Sequence, residues 1–256
     1  MASKFEVITS RSNPHIAQVR KLEKDRAYRR ETGLFLCDSV KLCGEAIRWG
    51  AEIDTAIFTA KQMPESLPEG TRAVQVPDSL MSAISPAKTP QGQLFLCKIP
   101  QLTLPETLEG KRYLILDGLQ DPGNVGTIWR TADALGADGL ILTHHCADPW
   151  SWKTVRATMG AAFRLPVWEA EPEEITALLS RSGIPLYGTA LLEDTVDLRT
   201  YDGGKAAVVI GNEGQGISPE MLALCTQTWK IPMEPKCESL NAAAAATVVL
   251  WELYRR

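Results

Sequence analysis

Three polar, glycine-containing segments in the second half of the chain contain residue types that bind ligands. Each follows an apolar run typical of a buried strand and precedes a sequence that favours a helix. The segments are DGLQDPGNVGTIWRTAD (117–133), VVIGNEGQGIS (208–218) and IPMEPKCESLNAAAAA (231–246). In an open α/β sheet, ligands bind outside the carboxyl ends of the strands. The segments therefore predict one shared pocket.

Five polar side chains in these segments are candidates for chemistry: Asn124, Arg130, Glu213, Ser239 and Asn241. Small residues around them allow a ligand to approach backbone N–H and C=O groups closely. Each also has a structural interpretation, since Asn124 and Ser239 suit helix N-caps. Arg130 suits a solvated helix position, and Glu213 could fix its own turn. Their joint occurrence at three strand ends favours a binding site.

The common nucleotide and hydrolase motifs are absent from the sequence. The chain contains no G-x-x-x-x-G-K-[ST], and the glycines of GNEGQG have the wrong spacing for G-x-G-x-x-G. It also contains no G-x-S-x-G elbow. Simple kinase, dehydrogenase and α/β-hydrolase interpretations are therefore disfavoured.

Composition indicates a globular protein with reduced cysteines. The chain has 256 residues, of which 45% are apolar, and its formal net charge is −4. Its six cysteines include no C-x-x-C pair, which disfavours both a zinc site and a disulfide framework. The first residues lack an apolar signal-peptide core, and no apolar run could span a bilayer. We therefore expect a cytoplasmic protein that needs neither a metal nor a membrane.

A basic segment lies near the amino terminus. Between positions 11 and 30, seven basic residues and two acidic ones, Glu23 and Asp25, give a local charge of +5. The segment is a candidate surface for RNA phosphates, although an ordinary solvated helix face is an equally good interpretation. The basic residues are Arg11, Arg20, Lys21, Lys24, Arg26, Arg29 and Arg30.

The arrangement of apolar runs predicts two α/β domains. Residues 1–98 mix helix and strand signals, and the proline-containing stretch 99–112 suits a linker. In residues 113–256, strands alternate with helices, which implies a mostly parallel sheet covered on both faces. Predicted strands cover 34–36, 55–59, 73–76, 94–97, 113–116, 139–143, 185–189, 206–210 and 229–231. One predicted helix starts at Pro14, and the other predicted helices cover 40–49, 125–135, 152–159, 219–224 and 240–254.

Three sequence blocks carry a resemblance to a known family. NVGTIWRTA (124–132), IGNEGQGIS (210–218) and IPM followed by ESLN (231–241) resemble, in order, the signature motifs of SpoU/TrmH-type RNA methyltransferases of the SPOUT class. DPWSWKTVRATMGAAF (148–163), TPQG (89–92) and the start ITSRSNPHI are also similar to that family. The resemblance implies a carboxyl-terminal domain with a deep trefoil knot, a ribosomal-protein-like RNA-binding domain before it, and a homodimer.

The resemblance also implies an activity. It is transfer of a methyl group from S-adenosylmethionine to a ribose 2′-hydroxyl in structured RNA, with rRNA favoured over tRNA. Asn124, Arg130, Glu213, Ser239 and Asn241 would form the catalytic wall. The residues implied to bind the cofactor are Thr189, Gly211, Ile231 and Leu240.

Two other functions compete with this activity. One is an RNA-binding ribosome-assembly factor of the same fold without catalysis, and the other is an enzyme acting on small nucleotides. The first would not need the polar wall, all of whose residues the sequence retains. The second would make the amino-terminal domain unnecessary. RNA binding combined with methyl transfer distinguishes the three.

Overall fold

The structure, a computed structural model, describes residues 5–234, 236 and 239–255. The chain forms two compact units. The first contains Met1–Gln101 together with Trp150–Phe163, and the second contains Leu102–Pro149 together with Arg164–Arg256. The segment 150–163, which the sequence-based division assigns to the second domain, therefore belongs to the first unit.

Strands and helices are mixed along the whole of the described chain. The strands are β1 (Glu6–Val7), β2 (Leu34–Asp38), β3 (Ile53–Phe58), β4 (Arg72–Gln75), β5 (Gln93–Lys98), β6 (Arg112–Leu116), β7 (Gly139–Leu142), β8 (Val167–Glu169), β9 (Leu186–Thr189), β10 (Val196–Asp197), β11 (Ala206–Ile210) and β12 (Gln227–Lys230). The helices are α1 (Pro14–Lys24), α2 (Arg26–Thr32), α3 (Val40–Arg48), α4 (Asp78–Ile84), α5 (Pro122–Ala134), α6 (Trp152–Thr158), α7 (Pro172–Ser182), α8 (Pro219–Ala223) and α9 (Ala242–Tyr254).

The first unit contains a mixed sheet in the order β1-β4-β3-β5-β2. Strand β5 is antiparallel to both β2 and β3, whereas β4 is parallel to β1 and β3. Strands β4 and β5 follow one another in the chain but are not neighbours in the sheet, because β3 lies between them. Local sequence shows that a strand exists but not which strand is its neighbour.

Helix α1 begins where the sequence predicts. The Asn13 side chain accepts a hydrogen bond from the backbone N–H of His15 at 2.9 Å, and Pro14 occupies the first turn. Ile16, Val19 and Leu22 point into the core at helical spacing. The predicted start of this helix is confirmed.

Helix α6 packs against an edge strand of the first sheet. Strand β2 is at the edge of the sheet order, and α6 packs against it. The Phe35 ring of β2 lies 4.9 Å from the ring of Trp150 and 6.3 Å from that of Phe163, centroid to centroid. The contacts of α6, Trp150 and Phe163 with β2 explain why segment 150–163 joins the first unit.

The second unit contains an entirely parallel sheet in the order β10-β12-β9-β11-β6-β7-β8. The predicted parallel α/β sheet is therefore confirmed. All five residues of the central strand β11 are buried, as expected for a strand covered on both faces. Strands β8 and β10 and helix α7 are not among the elements predicted from the sequence.

Helix α9 is apolar on nearly every side. Its inward side chains include Ala246, Val249 and Leu250, while Val248, Trp251 and Tyr254 are exposed. The helix has 13 residues, fewer than the roughly 20 that cross a bilayer. Within the described ranges, no helix is both long and apolar enough to span a membrane.

Candidate active site

A cavity of about 320 Å³ opens at the carboxyl ends of three neighbouring strands of the second unit. Thr189 ends β9, Gly211 follows β11 and Ile231 follows β12, and all three line the cavity. Leu240, just before α9, completes the set that sequence analysis assigned to the cofactor. The volume lies at the lower end of the range typical of small-molecule sites.

The loop after β11 requires glycine at its first position. The Asn212 N–H donates to the Gly216 carbonyl at 2.8 Å, and the Gly216 N–H donates back at 2.9 Å, which closes a tight loop. A Cβ atom at Gly211 would lie only 2.3 Å from the backbone of Gly216 and Ile217. Backbone at that distance cannot yield as a flexible side chain can. At this loop, the backbone itself forms the cavity wall, because the glycine at position 211 lets the two ends of the loop approach each other closely.

Asp117 and Asn212 tie this loop to neighbouring strand ends. The Asp117 carboxylate accepts from the Ser218 N–H at 2.7 Å and from the Thr143 hydroxyl at 3.2 Å. The Asn212 amide donates to the Gly118 carbonyl at 2.7 Å. Asp117 is buried, so these bonds satisfy a charge removed from water. This anchoring role was not predicted from the sequence, although Asp117 directly follows an apolar strand.

Three of the five candidate catalytic side chains form one hydrogen-bonded chain. The Asn124 amide nitrogen donates to Glu213 Oε1 at 2.7 Å, and the Asn241 amide nitrogen donates to Asn124 Oδ1 at 3.2 Å. These two bonds join Asn124 to residues that lie 89 and 117 positions further along the chain. Glu213 itself lines the cavity. The structure therefore brings together one residue from each of the three segments.

The helix-cap interpretation of Asn124 is wrong. Asp121 caps α5, because its carboxylate accepts from the Asn124 N–H at 2.7 Å. The Asn124 side chain is thereby available for its two partners. At α9 the cap is Asn241, whose Oδ1 accepts from the backbone N–H of Ala243 and Ala244. Ser239 is not that cap, so this interpretation is also wrong.

The two remaining candidate catalytic residues, Ser239 and Arg130, differ in their position relative to the cavity. Ser239 lines the cavity, beside Leu240. Arg130 does not line the cavity; it is exposed on α5, six residues after Asn124 and therefore about 9 Å further along the helix axis. Among the described residues, its guanidinium has no hydrogen-bond or ion-pair partner. Pro235, Cys237 and Glu238 of the third motif lie outside the described residues.

Cysteine thiols beside the strand ends are unsuited to nucleophilic chemistry. Burial raises the pKa of the Cys146 thiol, which donates to the Leu116 carbonyl at 3.1 Å. Burial, assisted by the charge of Asp117, raises the pKa of Cys225 to about 11. A thiol must lose its proton to attack, so both stay inactive near neutral pH. In the part of the chain that the structure describes, no group of three or more His, Cys, Asp or Glu could hold a metal.

The predicted basic segment forms α1 and α2, and its residues differ in exposure. Arg11, Lys21, Lys24 and Arg30 are exposed, and Arg20 and Arg26 are half-buried. Arg29 is buried, and its guanidinium donates to the Leu22 carbonyl at 2.6 Å. A buried guanidinium that is hydrogen-bonded to the last turn of α1 does not contact an RNA phosphate at the surface. Arg29 is therefore removed from the predicted RNA-binding surface, whereas the RNA contacts of the other six basic residues stay predictions.

Fold and cavity together define an α/β protein with a ligand site at the strand ends of its second unit. Residues 111–251 match the SpoU rRNA Methylase family, and residues 13–94 match the MRM3-like substrate binding domain. The first match covers more than half of the chain. The protein belongs to the SpoU rRNA methylase family, which confirms the resemblance seen in the sequence.

Known relatives are similar over nearly the whole chain. The 23S rRNA (guanosine(2553)-2′-O)-methyltransferase RlmP of Bacillus subtilis is 30% identical, with 96% of this chain and 98% of the relative covered. The 23S rRNA (uridine(2479)-2′-O)-methyltransferase of Streptomyces viridochromogenes is 33% identical, with 97% and 92% covered. The crystal structure of an AdoMet-bound rRNA methyltransferase from Sinorhizobium meliloti superposes with a TM-score of 0.88 at 31% identity, covering 98% of each chain.

Proposed function

We propose that this protein transfers the methyl group of S-adenosylmethionine to a ribose 2′-hydroxyl of ribosomal RNA. One observation carries the proposal: a glycine-walled cavity lies beside the hydrogen-bonded chain of Glu213, Asn124 and Asn241. The names of two relatives, both 23S rRNA 2′-O-methyltransferases, support the reaction. The AdoMet-bound structural neighbour supports the methyl donor.

The residues around the cavity fit such a donor. Trp229, Met233 and Leu240 give apolar walls for an aromatic base and an aliphatic chain, and the backbone at Gly211 offers polar groups at close range. Glu213 brings a carboxylate to a cavity that would hold a positively charged sulfonium. When bound, S-adenosylmethionine supplies an electrophilic methyl group on a good leaving group.

The protein's own task is then to place the hydroxyl and to assist the loss of its proton. Positioning of reacting groups supplies a large part of many rate enhancements. Asn124 is held from two sides, by Glu213 and by Asn241, so its amide has a fixed orientation. We assign this chain of side chains the role of orienting the ribose beside the cavity.

Arg130 has an electrostatic role in this proposal. A guanidinium in a protein is normally never deprotonated, so it does not suit the role of a base. It can hold an RNA phosphate and stabilise negative charge that develops on the ribose oxygen. Its exposure and its lack of a partner among the described residues leave it available for such contacts.

The proposal includes a homodimer that forms through α9. Val248, Trp251 and Tyr254 recur at helical spacing and are 39%, 56% and 51% exposed, so they form an apolar stripe on the surface of the unit. Helix α5, which carries Arg130, packs against α9. A second copy seated on this stripe would therefore lie beside the helix that carries the candidate catalytic arginine.

The test of the function is methyl transfer to defined RNAs. Purified protein is incubated with tritiated S-adenosylmethionine and either ribosomal or transfer RNA, and mass spectrometry then maps the 2′-O-methyl nucleotides. We expect transfer to rRNA at a defined ribose. RNA binding without transfer would instead support the assembly-factor function, and transfer to free nucleotides would support the small-nucleotide enzyme.

A further inference from the structure

A second cavity lies entirely within the first unit. Its volume is about 710 Å³, and its walls come from the loop after α4 and from α6. Lys88 contributes from the loop, and Trp152, Lys153 and Arg156 contribute from α6. The cations are exposed, and none of the described residues that line the cavity is acidic. In a chain of net charge −4, such a cluster is not a consequence of overall composition.

A smaller cavity shares Arg156 with this one. This neighbour has a volume of about 160 Å³, and its lining includes Ser39, Lys41 and Gln91 as well as Arg156. Because Arg156 lines both cavities, we describe them together as the α6 groove, whose basic residues are Lys41, Lys88, Lys153 and Arg156. Buried Asp38 lies 3.6 Å from the Arg156 guanidinium, so four cations and one carboxylate leave a local charge of +3.

The walls of the groove are held in place before any ligand arrives. Ser85 donates to the Asp38 carboxylate at 3.3 Å and accepts from the Ala87 N–H at 3.2 Å, which fixes the start of the loop. The same carboxylate orients Arg156. A preorganised site loses less entropy when its ligand binds.

Trp152 provides a flat apolar surface in this basic groove. Its indole is half-buried and packs against the core cluster of the first unit, so the ring is fixed. The Lys153 ammonium lies 6.0 Å from the centroid of that ring. An aromatic ring among cations is the combination that binds unpaired nucleotides, because bases stack on the ring while cations neutralise the phosphates.

We propose that the α6 groove binds an unpaired stretch of RNA, with one base stacked on Trp152 and its neighbouring phosphates held by Lys88, Lys153 and Arg156. This inference deepens the proposed function, on which it rests, by adding an RNA site separate from the methyl-transfer cavity. Duplex RNA fits poorly, since its bases are already stacked and paired. The α6 groove thus selects RNA in which the bases are free.

The first test counts phosphate contacts. Binding of fluorescein-labelled single-stranded oligouridine by the full-length protein is measured by anisotropy over a series of salt concentrations. For the variant K88Q/K153Q we expect weaker binding and a salt slope shallower by about 1.4, because each phosphate on a single strand contributes about 0.7. The control K98Q/K111Q removes the same charge at exposed positions outside the groove and should match the wild type. A slope unchanged in K88Q/K153Q would overturn the proposal.

The second test removes the stacking surface. Trp152→Leu keeps apolar volume against the core but loses the indole, and we expect about fivefold weaker binding of the same oligonucleotide, the lower limit for one stacked base. Trp49→Leu, at an exposed tryptophan of the same unit, is the control. A blunt RNA duplex should compete poorly in the wild type. Equal competition by the duplex, or full affinity in Trp152→Leu, contradicts the proposed site.

The failure of this proposal is distinguishable from the failure of the proposed function. Oligonucleotide binding requires no methyl donor, so it reports on the groove even if methyl transfer is absent. Conversely, if transfer to rRNA occurs while all groove variants bind RNA like the wild type, the function stands and the groove proposal falls. Calorimetric binding of S-adenosylmethionine to each variant shows that the second unit is intact.

Discussion

At the scale of single residues, the side chain of Asn124 is the centre of the site. It is the only one of the five candidate catalytic side chains in the described chain that bonds to two others. We expect Asn124→Ala and Arg130→Ala each to lower methyl transfer by about a hundredfold or more, the usual effect of losing one electrostatic contact to a transition state. Neither lines the cavity, so the Kd for S-adenosylmethionine measured by calorimetry should stay nearly unchanged. Loss of cofactor binding in both variants would show that the assignment of roles is wrong.

Glu213 allows charge and hydrogen bonding to be separated. Glu213→Gln keeps an oxygen that can accept from Asn124 but removes the negative charge, whereas Glu213→Ala removes both. We expect the glutamine variant to bind S-adenosylmethionine several-fold more weakly and yet to retain most of its rate at saturating cofactor. The alanine variant should lose both affinity and rate. Identical kinetics in the two variants would mean that the bond to Asn124 does not position the site.

At the scale of elements, the loop from β11 to α8 determines the shape of the cavity. Gly211→Ala places a Cβ atom 2.3 Å from backbone atoms, so the loop must move. We expect a loss of about 1–3 kcal/mol in the free energy of unfolding, as for other overpacking substitutions, together with weaker cofactor binding. Thermal denaturation and calorimetry measure the two effects.

Gly214→Ala is the matched control in the same loop. A Cβ atom there would meet nothing closer than Asn212 Oδ1 at 3.6 Å, which is ordinary contact. Its free energy of unfolding should stay within about 0.5 kcal/mol of the wild type. Equal destabilisation by both substitutions would show that general loop flexibility, and not the close approach at Gly211, is the cause.

The sequence predicted elements better than it predicted partners. Strands β6, β7, β9 and β11 are short apolar runs bounded by turn residues, so periodicity and length located them. Strand β8 has three residues and β10 two, too few for any periodic signal. Helix α7 did carry a signal, since Glu171 and Glu174 form a capping box around Pro172. That helix could have been predicted.

The hydrogen-bond partners of the side chains in the site could not be predicted from the spacing of residues in the sequence. Asp121 and Asn124 are both good cap residues, and only the hydrogen bond to Asp121 shows which of them caps α5. Arg29 belongs to a basic run, but its burial depends on how α1 and α2 pack together. Convergence of the three motifs could be predicted because parallel strands end at one edge of a sheet. The exact pairing at that edge could not.

At the scale of the whole molecule, the chain passes from one unit to the other three times. The first unit ends at Gln101, resumes at Trp150 and ends again at Phe163. Residues 1–98 alone therefore lack α6, which packs against β2 and forms a wall of the α6 groove. The trefoil knot and the cytoplasmic location that sequence analysis implied stay predictions.

The apolar stripe on α9 is where a second copy of the chain would bind. Stable interfaces bury about 800 Å² on each partner and have aromatic residues at their centre, a position that Trp251 suits. Trp251→Glu would place an unpaired charge there, so we expect the protein to elute as a monomer in size-exclusion chromatography with light scattering. Methyl transfer should fall with it, because α5, which carries Arg130, packs against α9.

Trp49→Glu is the control for that substitution. Trp49 is 47% exposed, close to the 56% of Trp251, but lies at the end of α3 in the first unit. Trp49→Glu changes the net charge by the same amount as Trp251→Glu but alters no residue of the α9 stripe, so this variant should stay dimeric and active. If Trp251→Glu also stays dimeric, the copies associate through another surface, and a monomeric wild type that still methylates RNA would show that one chain holds the complete site.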